Sequence, residues 1–86
     1  MEKDFEVRTA LLAFQKIKLK GQQTGPESYH YNGVHVESDF DGYNLMMKSR
    51  SVTLYIYFHS TYKFDYEQMD DLDEFVKIIN QMAQED

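Results

Sequence analysis

Tyr29-His30-Tyr31-Asn32-Gly33-Val34-His35-Val36 is the stretch that decides the fold of this chain. Asn-Gly between alternating residues signals a two-residue hairpin, because a type I′ turn needs positive φ at both central positions. A turn at Asn32-Gly33 sets Tyr31 opposite Val34, His30 opposite His35 and Tyr29 opposite Val36. Asp41-Gly42 offers the same chemistry, and sets Phe40 opposite Tyr43, Ser38 opposite Leu45 and Val36 opposite Met47. The two registers agree on which face is apolar, as they must if one sheet face is to be buried.

Outward from there, Val52, Leu54, Ile56 and Phe58 alternate with Thr53, Tyr55, Tyr57 and His59, the pattern of a half-buried strand. The connection Lys48 to Ser51 contains no glycine. Matching the faces asks for Met47 opposite Val52 and Leu45 opposite Leu54, hence a loop of even length. Upstream, Val7, Ala10, Leu11, Phe14 and Ile17 recur at three- and four-residue steps over about Asp4 to Lys20, one face of a helix. Asp4 suits its N-cap, the lysines at 16, 18 and 20 suit its C-terminal dipole, and Gly21 suits a left-handed stop. Gly21 to Pro26 reads as a breaker stretch. Leu72, Phe75, Val76, Ile79, Met82 and Ala83 form the apolar stripe of a second helix over about Asp70 to Gln84, with Asp70, Asp71, Asp73 and Glu74 crowding its first turn.

The expected architecture is a single α+β domain over residues 1–86: an antiparallel four-stranded meander with both helices packed on one face. Tyr62 to Tyr66 is a possible short fifth strand. Phe14, Leu54, Ile56, Phe58, Phe75 and Ile79 are the expected core, with Phe5, Phe40 and Tyr43 also inward.

Composition narrows the chemistry. The chain has 86 residues, 9 basic and 15 acidic side chains and a net charge of −6, a balance that repels nucleic acid and anionic lipid. Absent cysteines remove disulfides, thiolate metal sites and cysteine nucleophiles. The longest apolar runs are far too short to span a bilayer, and Met1-Glu2-Lys3-Asp4 lacks a secretory pattern, so a cytoplasmic location is expected. Residues 1–64 carry eight basic and seven acidic side chains, whereas 65–86 carry one and eight. That acidic end is either a solvated surface or a dock for a basic partner.

Candidate sites are few. His30 and His35 face each other on the outer side of the first hairpin with Glu37 two residues on, while His59 lies toward the opposite end of the sheet. Two imidazoles and one carboxylate on an open sheet read as solvated strand residues, so no metal is expected. No phosphate loop, nucleophile elbow or zinc-binding helix motif is present, and neither a catalytic residue nor a cofactor is expected. The aromatics say more. Alternation turns Tyr55 and Tyr57 away from the helices, and a fold-back through an even loop adds Tyr62, Phe64 and Tyr66 to that outer face. Such a face resembles the platforms that stack single-stranded nucleic acid, but the accompanying cations are missing, so a protein contact is favoured. The expected function is therefore a non-catalytic protein–protein interaction module, as a homodimer or an accessory subunit, with Tyr55, Tyr57, His59, Tyr62, Phe64 and Tyr66 as its surface. The alternative is a small enzyme or ligand binder around Tyr55, Tyr57 and His59.

Tyr29-His30-Tyr31-Asn32-Gly33, Ser38-Asp39-Phe40-Asp41-Gly42-Tyr43, Leu54 to His59 and Phe64-Asp65-Tyr66 together resemble a small uncharacterised gammaproteobacterial family, catalogued only as a domain of unknown function. The resemblance covers the chain from the first helix to about Tyr66. It implies a bacterial cytoplasmic protein and brings no catalytic or ligand residue with it.

Overall fold

The computed structural model describes residues 5–57 and 61–85. Helix α1 (Val7–Lys20) is followed by strands β1 (Gln22–Gly25), β2 (Ser28–Tyr31), β3 (Val34–Ser38), β4 (Leu45–Ser49), β5 (Val52–Ile56) and β6 (Tyr62–Asp65), and helix α2 (Met69–Ala83) closes the chain. The strands form one sheet in the order of the chain, every pair antiparallel. The α+β class and the two helices are as expected, but among the described residues the sheet has six strands rather than four or five.

The extra strand is Gln22–Gly25, which lies where a breaker was expected. Its residues are polar and mostly exposed, so no alternation marks it; hydrogen bonding to β2 makes it a strand. Pro26 sits in the turn that follows, where its missing N–H costs no ladder bond. Gly21 is not a left-handed stop either. Its φ of −87° is open to any residue. Glycine is needed because a Cβ there would meet the carbonyl oxygens of His30 at 2.5 Å and Ile17 at 2.6 Å, as the chain turns directly from helix into strand.

The first hairpin has the derived register, with Asn32 at φ 50° and Gly33 at φ 84°. The next pairing also holds, with Ser38 opposite Leu45 and Val36 opposite Met47. Its connection is nevertheless a longer loop, Asp39 to Asn44, and not a tight turn at Asp41-Gly42. The Asp39 carboxylate accepts from the Tyr43 amide at 3.1 Å and from Asn44 Nδ2 at 2.8 Å, which closes the loop from within. Phe40 is thereby swung out to 94% exposure and Tyr43 to 58%, so neither belongs to the core.

Strands β4 and β5 are joined by Arg50-Ser51 alone, with Arg50 at φ 54°. Met47 pairs with Leu54 and Leu45 with Ile56, two residues from the expected register. A shift of two keeps every side chain on its face, so the even loop stands while its length falls. The shorter turn gains the additional pair Ser49–Val52.

One row of the sheet, Val36, Met47 and Leu54, is fully buried, and both helices cover it. Ala10, Ala13, Phe14 and Ile17 descend from α1, and Leu72, Phe75, Val76, Ile79 and Met82 from α2, into one core cluster. Of the expected core, Phe14, Leu54, Ile56, Phe75 and Ile79 are all buried, and Phe58 lies outside the described residues. Asp4, the expected N-cap of α1, also lies outside them; the helix begins at Val7 with Glu6 at its cap. The helices are tied together at their C-terminal ends. Lys16 donates to the Glu85 carbonyl, and the Glu85 carboxylate accepts from Lys20 and from the Tyr31 hydroxyl, both at 3.0 Å.

Candidate functional site

The outer face of the sheet is read from its register. One row runs His30, His35, Lys48, Thr53 and Asp65; the next runs Ser28, Glu37, Met46, Tyr55 and Lys63. Alternation carries Tyr57 to the same side as Tyr55. Their rings lie nearly parallel, 6° apart with centroids at 6.3 Å, because residues i and i+2 of a strand stand side by side. Together with Met46 and Leu45 they floor a shallow groove of about 270 Å³, walled by Glu37, Ser38, Asp39 and Asn44.

The polar wall of this groove is already engaged. Glu37 contacts His35 Nε2 at 3.0 Å, the Ser38 hydroxyl donates to Glu27 at 3.4 Å, and Asp39 holds Asn44. The Asn44 amide, with backbone donors of the loop, keeps the Asp39 carboxyl below the ordinary carboxylate range. A carboxylate bonded to its own loop is ionised and is a poor proton carrier near neutral pH. The groove offers amphipathic rings and a thioether rather than a reactive constellation.

The expected outer aromatic patch is therefore smaller than its sequence suggested. Tyr55 and Tyr57 stand together. His59 lies outside the described residues. Tyr62 and Phe64 are on the opposite face: Ile56 pairs with Tyr62 and Leu54 with Phe64, so both point toward the helices. Phe5 packs against both, with centroids at 4.8 and 5.0 Å, and Phe64 stands edge-on to Phe75 at 6.2 Å. The odd connection that produces this parity is marked by the Tyr57 amide donating to the Thr61 carbonyl. Tyr66 follows the end of β6, away from the groove, and is 37% exposed. In place of the aromatic row, β6 sets Lys63 beside Tyr55.

His30 and His35 are cross-strand partners, as derived, with Lys48 next to His35 in the same row. Among the described residues no group of three or more His, Asp or Glu side chains is arranged to hold a metal ion. The feature that sequence reasoning missed is the Asp39–Asn44 clasp, which builds one wall of the groove. Its signal was available: an aspartate two residues before Asp-Gly can bond forward to loop amides.

No described helix is long and apolar enough to cross a membrane. No curated protein and no solved structure matches the chain. A family profile does match, over residues 5–86, and the chain belongs to that family, described as a protein of unknown function, DUF3081.

Proposed function

We propose that the chain is a non-catalytic protein–protein interaction module of the gammaproteobacterial cytoplasm, acting as a homodimer or as an accessory subunit, and that the Tyr55–Tyr57 groove contributes to its contact surface. The observation that carries this reading is the state of the groove's polar wall. Glu37, Ser38 and Asp39 are each bonded within the chain, leaving an open, mostly apolar floor of paired tyrosine rings, Met46 and Leu45. Tyrosine supplies large contact area at little conformational cost and is enriched where proteins meet. The net charge of −6 favours a protein partner over nucleic acid.

The parallel tyrosine rings support a second reading, a binder of a small planar ligand between Tyr57 and the loop wall, in a groove of about 270 Å³. The two readings separate on protein purified from its own host and examined by native mass spectrometry. A stoichiometric protein partner that is lost from Tyr57→Lys, with the thermal melt unchanged, supports the interaction module. A bound small molecule displaced by the same substitution overturns it in favour of the ligand binder.

A further inference from the structure

The two edges of the sheet are built differently. β1 ends in Gly25, has an irregular register between Gln23 and Gly25, and is followed by Pro26, devices that blunt an edge against pairing with another chain. β6 has none of them. Its register with β5 runs unbroken from Tyr62 to Asp65, and it contains neither glycine nor proline. Tyr62, Lys63 and Asp65 are exposed and Phe64 is half-buried, so this edge is open to water.

The direction of its backbone follows from one bond. The Tyr57 amide donates to the Thr61 carbonyl at 2.7 Å, in register with the ladder between β5 and β6. Hydrogen-bonded and non-hydrogen-bonded positions alternate along an antiparallel pair, so Thr61, Lys63 and Asp65 turn their amides and carbonyls toward β5. Tyr62 and Phe64 turn theirs to the free edge, where no described residue meets them. The side chains add a second pattern. Lys63 and Asp65 stand two residues apart on the outer face, and neither is bonded or ion-paired to a described residue.

We propose that β6 pairs antiparallel with β6 of a second copy of the chain, about a twofold axis at Phe64, joining two six-stranded sheets into one. Charge selects both the occupant and the register. With the axis at Phe64, Lys63 faces Asp65 of the other copy and Asp65 faces its Lys63, while the two Phe64 residues exchange amide–carbonyl bonds. The charged pairs fall at non-hydrogen-bonded positions, where facing side chains come closest. Outward backbone groups recur at every second residue, so the neighbouring registers have their axes at Lys63 or at Asp65. The first sets lysine on lysine and the second aspartate on aspartate, and like charges directly opposite each other destabilise a sheet. The contact is isologous and closes at two copies, which uses up both open edges and leaves the blunted β1 edges outermost. It also shelters Tyr62, which is exposed although it packs on Phe5. The inference rests on the interaction-module reading in taking a protein as the partner, and it leaves the tyrosine groove free for a different contact.

Sedimentation equilibrium and amide hydrogen exchange on the full chain test the proposal. The wild type dimerises, and exchange at the Phe64 amide slows as protein concentration rises. Lys63→Glu and Asp65→Lys each weaken the dimer roughly tenfold, because each sets like charges together on both sides of the axis. Mixing the two variants restores dimers that carry one of each, and combining Lys63→Asp with Asp65→Lys in one chain restores the homodimer. Both residues are exposed, and an unchanged circular dichroism spectrum verifies that each variant folds. A wild type that remains monomeric at high micromolar concentration overturns the proposal; if a host protein is still captured and is lost from Tyr57→Lys, the interaction-module reading stands without it. A dimer whose Phe64 amide exchanges at the same rate at every concentration, or that is indifferent to both charge reversals, overturns it too. Dissociation of that dimer by Tyr57→Lys then assigns self-association to the tyrosine groove.

Discussion

Ile56 and Tyr57 are adjacent in the chain and belong to different parts of the molecule. Ile56 is 4% exposed and lies in the helix-covered core with Leu54; Tyr57 is 40% exposed and stacks on Tyr55 at an open groove. The difference is one step of strand alternation. The helix-facing side of the sheet is aliphatic and aromatic, and buried along its central strands; the other side is mostly polar, apart from Met46 and the tyrosine pair, and open. Folding free energy is concentrated on the first side, which leaves the second able to vary with whatever it contacts. A single strand can therefore hold the fold and present a surface, provided its register is fixed.

The sharpest way to break that comparison is to cut into the buried side. Truncation of Ile56 to Ala, or of Phe75 to Ala, should cost about 3–5 kcal/mol, a large share of what a domain of this size possesses. Urea unfolding followed by circular dichroism measures the loss. A cost below about 1 kcal/mol at either position would mean that the burial of this side contributes little, and the contrast with Tyr57 would collapse.

A finer test uses β6, where the parity of one loop decides which residue is inside. Phe64→Ala should cost roughly 2–3 kcal/mol, less than Ile56→Ala because the ring is only half-buried, while its contacts with Phe5 and Phe75 are lost. Lys63→Ala, one residue away on the open side, should change stability by about 0.5 kcal/mol or less. The opposite ranking in the same unfolding measurement would put Phe64 on the tyrosine side and Lys63 beneath the helices.

That register also marks how far the sequence could be read. Alternation and Asn32-Gly33 specify the inner face and the first two pairings, because a slip of one residue there would expose Val34 and Val36 together. Both helices are legible from their stripes. What escapes is set by contacts between distant parts of the chain. Phe64 turns inward because Phe5 and Phe75 wait there, which no local pattern around Tyr62 records. Gln22–Gly25 becomes a strand by pairing alone, with no apolar residue to announce it. Phe40 reads as core by its type, and is expelled because Asp39 bonds to Asn44 and lengthens the loop. The tyrosine pair of the candidate surface was legible for the same reason as the core, since both follow from one alternation; its groove wall was not, since it depends on the clasp.

The smallest effect is expected at the rim, where Glu85 joins the two helix ends to β2. Bonds from Lys20 and Tyr31 hold the Glu85 carboxyl below its ordinary value of 4.5, and the same bond to Glu85 raises the Tyr31 hydroxyl above 10.0. The signs are opposite in their consequences. A carboxyl with a lower pKa in the folded chain binds protons more readily when unfolded, so its contribution is complete above pH 4.5 and fades as acid is added. Tyr31 contributes below pH 10.0, and its share fades as alkali removes the hydroxyl proton. Asp39, also lowered, adds to the acid limb. Glu85→Gln keeps an oxygen for Tyr31 but removes the charge, so at neutral pH it should lower the melting temperature slightly. As added acid protonates the wild type at the same place, the two melting temperatures should converge. Because Glu85 and Lys20 are partly open to water, added salt should shrink the neutral-pH gap as well. A gap that persists unchanged through the whole acid limb would show that the charge of Glu85 is irrelevant to the junction, leaving the buried side of the sheet and its covering helices as the sole source of stability in this comparison.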